Sequence, residues 1–157
     1  MCGGVEARDK NRAYQAVKVY FPNPKAAFPV VLEDGTDLGW VPWGRRPEQP
    51  GKGPQGGWAK LETVERGGWE KYHPQRALGL ISRYMEKDAE RVSHWFDMNE
   101  GYALECLVIG EGEDRRVYVV TTSPPAEYAW IHDRWPMVTA LRRGVMQREQ
   151  TVNTQST

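Results

Sequence analysis

Phe28 to Glu33 and Leu38 to Trp43 are two short β-rich runs, and Asp34-Gly35 stands between them. An Asp-Gly pair tolerates the positive φ angles that tight hairpin turns require, so this stretch reads as a β-hairpin. The same punctuation recurs along the chain. Residues 3–8 and 13–21 flank Asp9-Lys10-Asn11 as a second hairpin, with a helix over 9–18 as the alternative. Residues 76–86 and 92–98 read as strands, and 103–109 and 115–122 as a hairpin across Glu111-Gly112-Glu113-Asp114. Trp58 to Thr63 is a short strand, followed by a turn or short helix to Tyr72. Pro124-Pro125 opens a short helix through Trp130, because Pro fits a first helical turn. Gly44 to Gly57, rich in Gly, Pro and charge, is a loop, and Gln147 to Thr157 is a polar, aperiodic tail expected to be disordered. The expected fold class is α+β: one domain over residues 2–140, dominated by short antiparallel strands with a few short helices.

A chain of 157 residues suits one core. Lys plus Arg and Asp plus Glu balance at 21 each, so there is no net charge. A nonspecific nucleic-acid binder is usually basic overall. Any DNA contact here must use a local patch, with Arg45-Arg46, Arg115-Arg116 and Arg142-Arg143 as candidates. No apolar run is long enough to span a bilayer, and the N-terminus lacks the apolar stretch of a signal peptide. The two cysteines, Cys2 and Cys106, are too few for a disulfide framework and lack metal-ligand spacing. Cys106 lies in an apolar run and reads as a core residue. A reducing, cytoplasmic setting, no membrane partner, no metal, no cofactor and a monomer are the corresponding expectations.

Phosphate-loop, nucleophile-elbow and Cys-x-x-Cys motifs are absent. The chemistry concentrates at the start, Met1-Cys2-Gly3. Removal of Met1 would give Cys2 a free α-amine beside its thiol. The amine condenses with an aldehyde to a Schiff base, and the thiol closes the ring to a thiazolidine. Both groups ordinarily titrate near neutrality, at about 8 and about 8.5. The other scattered features are a Glu inside a strand-like run, Glu86, and the segment His132-Asp133-Arg134.

In this order the pieces resemble the SOS-response-associated peptidase family, the abasic-site processing proteins. That family begins Met-Cys-Gly, as this chain does. Tyr20-Phe21-Pro22-Asn23-Pro24 is similar to its early Tyr-Asn-x-Ala-Pro loop, and Leu38 to Trp43 to its Trp-Gly-x-x-Pro segment. Trp58-Ala59-Lys60-Leu61-Glu62-Thr63 stands where the family has Asn-Ala-Arg-x-Glu-Thr. Arg76-Ala77-Leu78 through Tyr84-Met85-Glu86-Lys87 aligns without gaps to its Arg-Cys-Leu through Phe-Tyr-Glu-Trp run. Val120-Thr121, then His132-Asp133-Arg134-Trp135-Pro136-Met137, resembles its closing Val-Thr and His-x-Arg-x-Pro-x. The similarity covers residues 2 to about 138. Gly4 replaces the family's Arg and Trp58 its Asn, which suggests a divergent, phage-associated branch and bears on DNA contacts.

The resemblance implies a sensor of abasic sites in single-stranded DNA. Such a protein removes its own Met1, then links covalently to the C1′ aldehyde of the opened sugar through Cys2. It is thus an autocatalytic peptidase with possible abasic-site lyase activity. Cys2 is the implied nucleophile, Glu86 the group that orients its amine and moves protons, and His132 the acid that protonates the sugar oxygen. The implied DNA contacts are Gly3, Trp43, Arg45, Arg46, Trp58, Lys60, Thr121 and Arg134. Trp43 is read equally as a stacking or a core residue, and His73 and His94 as surface or structural. Two alternatives stay open: a noncatalytic single-stranded DNA binder of the same fold, and a structural protein in which Cys2 is incidental.

Overall fold

A computed structural model describes residues 2–141. The expected Gln147–Thr157 tail and the Arg142-Arg143 pair lie outside the described residues. The fold is a single small β-rich domain, its strands arranged in two sheets.

The smaller sheet contains β1 (Gly4–Asp9), β2 (Gln15–Tyr20), β7 (Arg83–Lys87) and β8 (Ser93–Asp97), in the order β2-β1-β7-β8. All of its pairings are antiparallel. The β1–β2 connection is the expected hairpin rather than a helix. A 3-10 turn at Lys10–Arg12, capped by the Asp9 carboxylate, leads into Ala13 and Tyr14, both at positive φ.

The larger sheet holds the remaining strands. Its path runs β11 (Trp135–Pro136), β10 (Arg116–Thr122), β9 (Tyr102–Ile109), β6 (Gln75–Gly79), β3 (Ala27–Leu32) and β4 (Asp37–Pro42). The short β5 (Trp58–Lys60) joins β10 in parallel, and β12 (Val138–Ala140) joins β9.

Three expectations need correction. Residues 76–86 are two strands, because Leu80-Ile81-Ser82 carries the chain from β6 in one sheet to β7 in the other. The Trp58–Thr63 strand ends at Lys60, and Leu61–Glu65 forms the short helix α1. The helix expected from Pro124 to Trp130 is only a 3-10 turn, Ala126–Tyr128; Ala129 and Trp130 stay exposed and the chain turns inward at the buried Ile131.

The core lies between the sheets. Val5, Ala7 and Val19 from the smaller sheet meet Phe28, Val30, Leu104, Cys106, Val117 and Val119 from the larger one. Alternation along β1 and β7 sends Val5, Tyr84 and Glu86 to this inner face. The opposite face carries the cross-strand row Tyr20, Gly4, Met85, Trp95, with the Tyr20 and Trp95 rings 6.2 Å apart. A Cβ on Gly4 would sit 3.2 Å from the Tyr20 ring and 3.3 Å from the Met85 methyl. Tyr20 thus occupies the space that a side chain at position 4 would need. Among the described residues, no helix is long and apolar enough to cross a membrane.

Candidate functional site

Cys2 is fully buried at the inner face, just before β1. Its flanks are pinned by backbone bonds: Gly3 N–H donates to Met85 O at 3.0 Å, and Phe21 N–H donates to Gly3 O at 3.1 Å. The indole N–H of Trp58 donates to Cys2 O at 2.7 Å. The thiol donates to Gly4 O at 3.3 Å. Burial, then the neighbouring Glu86 charge, pushes the thiol up to about 12. A thiol so placed is protonated at neutral pH and needs a base before it can attack.

Glu86, in the middle of β7, is fully buried and faces the same interior. Desolvation pushes its carboxyl up to about 7, although the positive charge and hydrogen bond of the α-amino group pull it down. A carboxyl titrating near 7 can both accept and return a proton at neutral pH. This burial excludes an ordinary solvent-facing strand position for Glu86.

His132 follows the Ala126–Tyr128 turn and is part-buried. Desolvation and the α-amino charge lower its pKa, against Asp133 and the Arg134 backbone bond. Its Nδ1 lies 3.1 Å from Arg134 N and 3.0 Å from Asp133 Oδ1. Nδ1 can accept from the first only without a proton, and donate to the second only with one. Asp133 is 90% exposed and well solvated, so the backbone bond decides the tautomer. His132 is neutral, with its proton on Nε2, where it can act as a donor.

Glu86 acts electrostatically on Cys2, and the chain's α-amino group acts on both Glu86 and His132, so these residues, 84 and 46 positions apart in sequence, lie within electrostatic range of the chain start. Tyr84 lies beside them. Burial raises its pKa, against a hydrogen bond from Trp135 Nε1 to its hydroxyl at 3.1 Å, with the Cys2, Glu86 and Tyr128 charges adding to the rise. Tyr128 and Trp135 stack at 5.5 Å, only 8° from parallel, and close this side of the cluster. No protein-family model matches the chain, and no curated protein matches it. What the cluster can do is therefore set by its own geometry: a buried thiol one residue from the chain start, a carboxyl poised near neutrality and an imidazole donor.

The expected DNA contacts divide into two groups. Trp43 is fully buried, with its N–H on Gly57 O at 3.0 Å, so it is a core residue with no face to stack on a base. Arg46 is also buried. Its guanidinium bonds Phe21 O and Trp43 O and lies 4.0 Å over the Phe21 ring. Arg45 donates to Gly53 O and Gln49 O and holds the Gly44–Gly57 loop closed. The side chain of Thr121 is fully buried in β10. These arginines and Thr121 serve the fold, and the alignment that made them DNA contacts could not show which way they face.

Gly3, Trp58, Lys60 and Arg134 remain at or near the site. Trp58 is half-buried, packed on Phe21 at 4.7 Å and tied to Cys2. Its indole N–H thereby anchors the Cys2 carbonyl. Lys60 is exposed at the end of β5. Arg134 is held by the Glu62 carboxylate at 2.9 Å and by Thr121 O at 2.6 Å. A phosphate must compete with Glu62 for that guanidinium. Glu62→Gln is therefore expected to tighten single-stranded DNA binding, and Arg134→Ala to weaken it. Each phosphate neutralised on a single strand changes the slope of log affinity against log salt by about 0.7. Salt titrations by fluorescence anisotropy should show a shallower slope for Arg134→Ala, and an unchanged slope removes Arg134 from the interface.

Sequence reasoning did not foresee that Tyr84, Tyr128 and Trp135 pack together beside Glu86, or that His94 sits opposite it. Glu86 and His94 are register partners across β7 and β8, so alternation along the two strands was the available signal for His94.

Proposed function

We propose that this chain is an abasic-site sensor that links itself through Cys2 to abasic sites in single-stranded DNA. It acts as a cytoplasmic monomer without metal or cofactor. The observation that supports this best is the placement of a buried Cys2, a Glu86 titrating near 7 and a neutral His132 donor within electrostatic range of the chain start. Single-strand preference fits a reactive residue enclosed between two sheets, because a duplex could not bring C1′ there without unstacking.

Two stages follow. In the first, water cleaves the Met1–Cys2 amide. Glu86 takes a proton from the water and returns it to the departing Cys2 nitrogen. In the second, the free amine attacks the C1′ aldehyde. His132 Nε2–H protonates the sugar's aldehyde oxygen as the C–N bond forms and recovers a proton from the amine; the second amine proton leaves with that oxygen as water, and an imine forms. The thiol sulfur then adds to the imine carbon, and its proton passes by way of Glu86 to the nitrogen, giving the thiazolidine. Abstraction of a C2′ proton from the imine would instead lead to β-elimination, the lyase outcome.

The deciding experiment is intact-mass spectrometry of purified protein with and without an abasic single-stranded oligonucleotide. The expected result is loss of Met1 and a one-to-one adduct. Intact Met1 and no adduct would leave the noncatalytic DNA-binding alternative.

A further inference from the structure

Trp130 is 66% exposed, the most exposed large apolar side chain among the described residues. Large apolar rings are ordinarily mostly buried, and this one is mostly in solvent. It is nevertheless well placed. Tyr128, two residues earlier, stacks on Trp135, and Ile131, one residue later, is buried with its N–H on Tyr128 O at 2.9 Å. The indole also meets the His94 ring edge-to-face at 5.3 Å. His94 in turn holds Asp88 at 2.8 Å from Nε2. An edge-to-face contact engages at most one face of the indole, so a flat surface stays open. Its position is fixed relative to the chemistry, because His94 is the register partner of Glu86 and His132 lies two residues beyond Trp130.

We propose that Trp130, braced by His94, is a stacking platform at the rim of the Cys2 site for the nucleobase next to the missing one. This rests on the abasic-site reading above. A strand that delivers a baseless sugar to Cys2 still carries bases on either side, unstacked at the gap. Base–aromatic stacking is tolerant of sequence, because every base offers a π-face. It also adds affinity without positive charge, as this electroneutral chain requires. The platform would make binding depend on a flanking base rather than on phosphates alone.

The test uses the full chain and two single-stranded oligonucleotides of equal length and charge. Both have a central abasic site. In one its neighbours are ordinary nucleotides, and in the other they are baseless tetrahydrofuran residues. Binding is read by anisotropy and covalent capture by denaturing gel. The parent is expected to prefer the base-flanked strand by about tenfold, within the range for one base–aromatic stack. Trp130→Ala should abolish that preference and Trp130→Phe should keep most of it, with the same final adduct yield at saturating DNA. Equal binding of both strands by the parent, or a preference that survives Trp130→Ala, overturns the platform. A Trp130-dependent preference without any adduct upholds the platform and instead sinks the covalent chemistry of Cys2.

Discussion

Cys2→Ala is expected to eliminate the proposed heat-stable crosslink to abasic single-stranded DNA, and Cys2→Ser to leave only a labile one. The amine of either variant can still form an imine with the C1′ aldehyde. Alanine has no second nucleophile, so its imine hydrolyses. A serine hydroxyl can close an oxazolidine, but oxygen gives a less stable ring than sulfur. Cys106→Ala should crosslink like the parent. Its thiol is fully buried on β9 and has no α-amine to share. Denaturing gels after heating measure the adduct, and borohydride should trap the imine of Cys2→Ala wherever the pocket is intact. If Cys2→Ala crosslinks as stably as the parent, the thiazolidine route is wrong for this protein.

Glu86→Gln is expected to slow Met1 removal and to change how stability depends on pH. The folded carboxyl titrates at about 7, above its ordinary 4.5. The folded chain therefore holds that proton more tightly than the unfolded chain does. The favourable contribution is complete below about pH 4.5 and is lost as pH rises through about 7, because an ionised carboxylate must then stay buried. The full loss is on the order of 3 kcal/mol. Glutamine never ionises, so the variant's advantage over the parent should grow across this window in urea melts. A constant difference from pH 4 to 8 would mean that Glu86 does not titrate in the interior. Slower processing is read by intact mass in a host depleted of methionine aminopeptidase, since that enzyme also accepts a small second residue. Normal processing there would remove Glu86 from the autocatalytic step.

Local chemistry made most of the strands legible. Asp34-Gly35 marked a hairpin because few other pairs take that backbone, and the structure has β3 and β4 on either side of it. Leu80-Ile81-Ser82 gave no such mark. The run from Gln75 to Lys87 stays rich in β-formers throughout, and only the second sheet turns it into two strands. The chemistry of Cys2 was legible because an aminothiol is specified by two adjacent positions. Its surroundings were not legible locally, since nothing in the sequence around Glu86 says that it is buried beside Cys2. The DNA contacts failed where they depended on facing. Trp43, Arg46 and Thr121 are chemically apt, yet all are buried. Arg134 is apt and accessible, but an alignment of its own segment does not reveal the Glu62 carboxylate 72 residues away.

The separation of the site along the chain also sets an order of events during synthesis. Residue 2 leaves the ribosome first, but its partners sit at 86 and 132, and β1 has no β7 to pair with until residue 87 is made. At roughly 5–20 residues per second, His132 follows Cys2 by about 7–26 seconds. For that interval the segment around Cys2 lacks the partners that enclose it in the folded domain, and under the proposed function it could not yet process itself. Under the proposed function, self-cleavage would then be a second chance, available only to chains that complete both sheets with Met1 still attached, and a freed aminothiol would be enclosed only once the domain has closed around it.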